Sequence, residues 1–358
     1  MLEELGWNSY FEAVWHELEQ PSGEPGRVIE QHRGLWRVVL ECGEADAEMS
    51  GKMRFAAEES GMWPTVGDWV AIEGNPQGRV RINATLPRRT AIVRKTAGRK
   101  VEQQVLAANV DVAWLVMGLD GDYNPRRLER YLAQAWDAGV RPMVILNKRD
   151  LCSEVDLRIA EVEQLAFGAP VFAVSAATGE GMGALARTLR AGTSLVLLGS
   201  SGTGKSTLTN QLMHMDLQAT QAVRTGDSRG RHTTTSRQLF MLPTGAMLID
   251  TPGLRELQLW DASDGLVRTF ADVQEFATHC RFDDCLHQGE PDCAVQAAVE
   301  QGDLPLGRLE NYRKLKREQE FLRRKIDPEA RAREKKTLKS VGRAVRQLYQ
   351  RREKEGRM

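Results

Sequence analysis

The chain has 358 residues, 41% of them hydrophobic, with 49 Lys and Arg against 49 Asp and Glu and five cysteines. That length predicts two or three domains with apolar cores, while the missing run of 18 apolar residues, the Glu-bearing first 25 residues and the sparse cysteines exclude a membrane-spanning helix, a signal peptide and a disulfide scaffold. A soluble cytoplasmic protein with reduced thiols is the expectation. The charges are segregated: residues 308–358 hold 19 basic and 8 acidic side chains, an excess of +11, which leaves −11 on the first 307. Such an end suits a polyanionic partner or, equally, a solvated helical face.

In chain order, residues 1–26 read as an amphipathic extension, with Trp7, Tyr10, Phe11, Val14 and Trp15 near helical spacing. Residues 27–97 carry short, β-branched, alternating fragments: GRVIEQ, LWRVVLE, GDWVAIE and GRVRINATL. Their spacing fits a small five-stranded β-barrel, an OB-fold or an SH3-like barrel. Residues 98–260 alternate near-continuous apolar strands (110–118, 142–148, 170–175, 194–199) with helical segments, and two further strands follow at 237–242 and 245–250. This is an α/β pattern of about six strands, most of them parallel and covered on both faces. Residues 261–330 bear Cys and His and turn helical, and residues 331–358 form a basic helical tail.

Gly199, Ser200, Ser201, Gly202, Thr203, Gly204, Lys205, Ser206 and Thr207 match G-x-x-x-x-G-K-[ST] directly after a buried strand. The glycines let backbone N–H groups turn inward around a phosphate at a helix N-terminus. Lys205 would reach the β- and γ-phosphates and Ser206 would ligate magnesium. Asn147, Lys148, Arg149 and Asp150 end another apolar strand and match N-K-x-D. The Asp150 carboxylate can accept from both N1–H and the N2 amino group of guanine, a pairing that adenine does not offer. Ser175 and Ala176 end the next strand as an S-A element whose backbone would contact the base. Asp250-Thr-Pro-Gly253 matches D-x-x-G, with Asp250 facing the magnesium and the Gly253 N–H facing the γ-phosphate. Between phosphate loop and D-x-x-G lies RTGDSRGRHTTTS, where Thr234 is the preferred magnesium contact and Thr233 and Thr235 are its alternatives.

The order of these elements is unusual. Ordinary GTPases run from phosphate loop through switch threonine and D-x-x-G to N-K-x-D and S-A; here N-K-x-D and S-A come first. A circular permutation relocates termini without changing the pocket, because the spatial order of strands builds it. Leu254 follows D-x-x-G, where many GTPases carry a water-orienting Gln, and Leu cannot polarise water. His232 lies in the first-switch segment beside the candidate magnesium threonines and can orient water near neutral pH. Cys280, Cys285, His287 and Cys293 form C-x4-C-x-H-x5-C, three thiolates and an imidazole suited to a closed tetrahedral zinc site. His279 could replace His287 but adjoins Cys280, and adjacent side chains diverge. Cys42 and Cys152, without such neighbours, are expected to be small buried hydrophobes.

The permuted order, GRHTTT, DTPGLREL, the N-terminal barrel and the cysteine motif together resemble the RsgA (YjeQ/YloQ) family of circularly permuted bacterial GTPases, over nearly the whole chain. The resemblance implies a multi-domain protein: an OB-fold, a circularly permuted α/β P-loop GTPase domain, and a C-terminal, mainly helical zinc-binding domain. It implies GTP and GDP with magnesium, one structural zinc per chain, and His232 as the water-orienting catalytic residue. It also implies GTP hydrolysis stimulated by the small ribosomal subunit, whose late maturation the family assists. The expected partners are 16S rRNA, met by barrel and tail, and nearby ribosomal proteins; the expected state is a monomer with no membrane contact. Two other classes compete. A P-loop kinase would need an acceptor pocket and a general base, neither of which the motifs supply. A GTPase acting on a protein partner alone would lack the salt-dependent binding to purified rRNA or subunits that the ribosomal reading requires.

Overall fold

The computed structural model describes residues 1–18, 23–76, 78–95, 103–214, 237–250 and 263–326. Helix α1 (Ser9–Glu17) is opened by Asn8, whose side chain accepts from the Tyr10 N–H. Its aromatic face is buried on the domain that follows: Phe11 is 2% exposed, and Trp7 meets Trp69 edge to face at 4.8 Å between centroids. Strands β1 (Glu24–Gln31), β2 (Trp36–Leu40) and β3 (Gly43–Met49) are followed by helix α2 (Gly51–Ser60), then β4 (Trp69–Glu73) and β5 (Val80–Thr85). They pair in the circular order β1-β2-β3-β5-β4-β1, with β3 parallel to β5. A closed five-stranded barrel with the helix between its third and fourth strands is the OB arrangement, which settles the choice against an SH3-like barrel.

The strand absent from the sequence reading is β3, GEADAEM. Its inward residues are Ala45, Ala47 and Met49 and its outward ones acidic, both poor β formers, so only the alternation of burial marks it. Cys42 also departs from expectation: it is exposed, in the turn between β2 and β3, while Cys152 is half-buried against the central core.

A hairpin of β6 (Ala91–Lys95) and β7 (Gln103–Ala108) leads from the barrel into the α/β domain. There β8 (Val112–Gly118), helix α3 (Pro125–Asp137), β9 (Arg141–Asn147), helix α4 (Val155–Leu165), β10 (Val171–Ala173), helix α5 (Met182–Ala186), β11 (Ser194–Leu198), helix α6 (Lys205–His214), β12 (Arg237–Met241) and β13 (Met247–Asp250) follow. The spatial order is β10-β9-β8-β11-β13-β12, with β10, β9, β8, β11 and β13 parallel and β12 antiparallel. Every residue of β8 is buried, and alternate ones serve opposite layers. Leu115 packs with Leu128, Leu132 and Val162 of α3 and α4, while Trp114 and Val116 pack with Leu185, Leu208 and Leu212 of α5 and α6.

Two buried arginines fix the flanking domains. Strand β12 pairs with β1, so barrel and α/β sheet are continuous, and beside that seam Arg27 of β1 is 1% exposed. Its guanidinium donates to the Leu5 carbonyl and to Ser194 Oγ at 2.7 Å, at the start of β11. Burial pushes its pKa down to about 10. On the other side, helices α7 (Ser263–Thr269), α8 (Ala271–Ala277), α9 (Ala294–Gln301) and α10 (Leu306–Ile326) form a helical domain around Phe270, Val295 and Leu315. Helix α7 lies so close to α3 that a Cβ on Gly265 would come within 2.0 Å of the Ala133 carbonyl oxygen. Arg308 of α10 reaches Glu129 of α3 at 2.6 Å, Asp272 at 2.5 Å and the Thr269 carbonyl at 2.7 Å, and the Asn311 amide donates to the second Glu129 oxygen. Burial pushes the Glu129 carboxyl up, against the pull of Arg308 and Asn311. Among the described residues no helix is long and apolar enough to cross a membrane.

Removing one partner of a buried pair leaves an uncompensated charge. Arg308→Ala should therefore cost about 3–5 kcal/mol of stability, and the double variant Glu129→Leu/Arg308→Leu should recover most of that loss. Urea unfolding of the full chain checks this; an Arg308→Ala transition superimposable on the parent's would refute the clamp.

Candidate functional site

The parallel strands β9, β8 and β11 and the neighbouring β13 end at one edge of the sheet, where ligands bind in open α/β folds. Asn147-Lys148-Arg149-Asp150 leaves β9, the Ser175-Ala176 turn follows β10, the phosphate loop follows β11, and Asp250 ends β13. The fold thus brings together the sequence-predicted residues Asn147, Lys148, Arg149, Asp150, Ser175, Ala176, Gly199 through Thr207, and Asp250. Thr234, Gly253, His232 and Leu254 lie outside the described residues, as does the tail at 331–358.

Asn147 ties three of these elements together. It is 2% exposed; its amide donates to the Thr203 carbonyl at 2.9 Å, and its Oδ1 accepts from the Ala176 N–H at 3.0 Å. The phosphate loop fits only because it is bare at this point: a Cβ on Gly204, whose φ is +90°, would come within 2.2 Å of Asn147 Nδ2. Lys148 stands at φ 65° and pairs with Asp120 at the end of β8, which holds the Asp120 carboxyl below its usual range. Arg149 pairs with Glu180 at 3.1 Å, across to the Ser175 loop, and Ser175 Oγ accepts from the Thr178 N–H at 3.2 Å. Asp150 is exposed at the mouth of this ring of loops.

On the phosphate side, Lys205 donates to the carbonyls of Gly199, at 2.7 Å, and Ser200, so its ammonium lies along the loop rather than out in solvent. Thr203 Oγ1 bonds the Ser200 carbonyl at 3.1 Å and stiffens the turn. Ser206 and Thr207 open α6 with exposed side chains. Two residues that no motif announces complete the site. Arg127, in the first turn of α3, is gripped by both Asp122 oxygens at 2.9 Å and donates to Ser200 Oγ, and Asp120 holds Lys148. Asp120 and Asp122 leave a trace in sequence as the acids of LDGD directly after a buried strand, while Arg127 leaves none.

The second cluster lies in the helical domain. The ligand atoms of Cys280, Cys285, His287 and Cys293 all fall within 4.8 Å of one another. Cys280 Sγ lies 3.9 Å from Cys293 Sγ, and His287 Nδ1 lies 3.6 and 3.5 Å from those two sulfurs. Zinc–sulfur bonds of about 2.3 Å and a zinc–nitrogen bond of about 2.0 Å span tetrahedral edges of roughly 3.8 and 3.6 Å, so the group has the size of a tetrahedral zinc site. Burial, with Lys316 and Arg313 nearby, pushes His287 down toward the neutral imidazole a metal needs. Burial would raise Cys280, but backbone N–H groups of Val295 and Ala294 at the start of α9 bring it below its ordinary value, favouring thiolate. Gln296 steadies the loop by donating to the His287 carbonyl at 2.6 Å. His279 is not part of the cluster; its Nδ1 sits 3.2 Å from the Glu275 carbonyl.

Comparison with known proteins agrees with this geometry. Residues 85–260 match the model of the RsgA GTPase family. The small ribosomal subunit biogenesis GTPase RsgA of Syntrophotalea carbinolica is 46% identical over 325 residues, which cover 88% of this chain and 89% of the relative. The chain belongs to the RsgA GTPase family. The protein of the same name from Streptomyces coelicolor is 43% identical, covering 95% of this chain and 93% of its own length. The crystal structure of YjeQ from Thermotoga maritima superposes with a TM-score of 0.62 at 29% identity, covering 83% of this chain and 98% of that one. Membership makes the ligand of the phosphate loop a guanine nucleotide.

The cysteine cluster makes a prediction of its own. Elemental analysis of protein purified without chelator should return one zinc per chain, and Cys285→Ser should lose it. Because structural zinc binding is also folding free energy, that variant should raise amide exchange across residues 265–300 while the nucleotide site keeps its protection. A zinc-free parent would rule the assignment out.

Proposed function

We propose that this protein hydrolyses GTP to GDP and phosphate while bound to the small ribosomal subunit, as a cytoplasmic factor in that subunit's late maturation. The observation that carries this reading is the single ring of loops in which Asn147 joins the phosphate loop to the guanine-side elements. Its support is full-length likeness to relatives named small ribosomal subunit biogenesis GTPases.

In this reading the Asp150 carboxylate accepts from N1–H and the N2 amino group of guanine, and the Ala176 backbone and the Lys148 stem flank the base. Backbone N–H groups of Gly202, Thr203 and Gly204 surround the phosphates. Lys205, already directed along the loop, balances charge that grows on the β–γ bridge as the bond to the γ-phosphate breaks. Ser206, Thr234 and Asp250 would hold magnesium, which screens the phosphates. With Leu254 in place of a water-orienting Gln, His232 fixes the attacking water, and the Gly253 N–H senses the γ-phosphate. The four zinc ligands act structurally, since a closed tetrahedron leaves no position for substrate. Barrel and basic tail contact 16S rRNA, and the protein acts as a monomer.

The guanine assignment is tested at Asp150. Replacing an acceptor pair by an amide, Asp150→Asn should lower GTP affinity by about 100-fold and favour xanthosine triphosphate, whose base presents an acceptor there. Equal GTP binding by parent and variant would remove Asp150 from the base site.

The hydrolytic reading is tested with purified subunits. The parent should turn over GTP slowly alone and much faster with small subunits. His232→Ala should lose about 100-fold of the stimulated rate yet retain GTP and subunit binding, the pattern of an interaction made only in the transition state. Undiminished stimulation of His232→Ala would assign the water to another group. A parent that small subunits neither bind nor stimulate would overturn the ribosomal role.

A further inference from the structure

A basic cleft lies outside the ring of loops that forms the nucleotide site. Between the first turn of α3 and the middle of α10 runs an open cleft of about 590 Å³. Arg126, Arg127 and Arg130 line one wall, and Arg313, Lys314 and Arg317 line the other, with Glu310 as the only carboxylate in the lining. Part of this charge is already balanced: Arg126 lies 3.5 Å from Glu310 and Arg130 2.8 Å from Glu318. Arg313 is different. Its Nε and Nη2 are buried and, among the described residues, have no hydrogen-bond partner, a state that costs free energy. The Glu129–Arg308 clamp lies beside the cleft and sets the spacing of its walls.

We propose that this cleft holds the phosphodiester backbone of an RNA strand, an assignment that rests on the ribosomal reading above. Three features favour that ligand. The lining has no aromatic or aliphatic side chain on which a base or an apolar peptide side chain could pack, so the cleft can grip a backbone but not read a sequence. Its cations sit on two facing helical turns, each about 5.4 Å in pitch, close to the spacing of successive phosphates along a strand. Five of the six are arginines, whose forked donors match phosphate oxygens in pairs.

Arg127 makes the cleft more than a second anchor. Arg127 belongs to the cleft lining, and its guanidinium is held by Asp122 and donates to Ser200 of the phosphate loop. A phosphate bound against the first turn of α3 acts on the turn that carries Arg127, and so on what Ser200 contacts. Occupancy of the cleft and occupancy of the nucleotide site are therefore coupled, and the coupling acts in both directions.

The test compares the full-length parent with Arg313→Gln/Arg317→Gln and with Lys314→Glu, an exposed position that keeps the question open if the double variant folds poorly. The probes are purified small subunits and a short single-stranded RNA oligonucleotide, titrated over a range of salt. Loss of two phosphate contacts should weaken binding by about tenfold or more and flatten the log–log salt dependence by about 1.4, with Lys314→Glu moving the same way. In the parent, the oligonucleotide should also shift GTP affinity. Parent-like affinity and slope in both variants would overturn the cleft while leaving the ribosomal role intact. If subunits fail to bind the parent at all, the ribosomal role falls and the oligonucleotide arm judges the cleft alone. Inorganic phosphate that displaces the oligonucleotide at equal phosphate concentration would show a site for the free anion, and would likewise overturn the RNA assignment.

Discussion

Everything at the nucleotide edge depends on one buried amide. Asn147 is the last residue of β9, and its two polar atoms are both satisfied, one by the phosphate loop and one by the Ser175-Ala176 turn. Those partners lie 56 and 29 residues away along the chain. An apolar residue of the same size would leave a buried carbonyl and a buried N–H unpaired, each costing about 1–3 kcal/mol. A side chain at position 204 would push the amide out of place. Asn147 and Gly204 are thus one device. It shows why permutation leaves the pocket intact: the loops are held by contacts between strand ends, and those contacts are indifferent to the order in which the chain visits the strands.

The flanking domains are attached by buried charge as well as by strand pairing and apolar contact. Arg27 crosses from barrel to β11, and Arg308 crosses from the helical domain to α3. A buried cation is a costly connector, since its desolvation is repaid only when several acceptors are in place at once. Arg308 meets that condition with two carboxylates and a carbonyl, whereas Arg27 relies on carbonyl and hydroxyl oxygens, which is why burial lowers its pKa. What such connectors give is a defined orientation. A guanidinium satisfied from several directions does not permit the sliding that an apolar face tolerates, so α3 and α10 meet at one angle and the basic cleft between them has one width.

The sequence was most legible where a contact is local. The phosphate loop, N-K-x-D and D-x-x-G are fixed strings at strand ends, and the apolar runs of β8, β9 and β11 announce strands buried on both faces. The four zinc ligands sit within 14 residues, and the structure gathers them as the spacing required. Legibility fails where meaning comes from a distant partner. Strand β3 is acidic and Ala-rich, and only its pairing with β2 and β5 makes it a strand. Arg127, Asp120, Glu129 and Arg308 look in sequence like ordinary solvated charges. Their roles come from neighbours 28 to 179 residues away, and no periodicity records those. The excess of +11 over residues 308–358 likewise begins in α10, so part of that basic end is a packed helix that borders the α/β domain.

Helix α3 is where these threads meet. Its first turn carries Arg127 on the phosphate loop, its middle carries Glu129 in the clamp, and further along Ala133 receives Gly265 of α7. Twelve residues separate α7 from Asp250, the end of the strand that bears D-x-x-G. In an unpermuted GTPase the chain would run on from that point into the guanine-side strands. Here it runs into a domain that is bolted to α3. The phosphate loop touches α3 directly, through Ser200 and Arg127, and the chain that leaves the D-x-x-G strand goes on to α7, which packs on α3. The phosphate loop and α7 thus both meet one helix, and that helix forms a wall of the cleft where we place RNA. Permutation preserves the pocket and alters what the pocket is attached to.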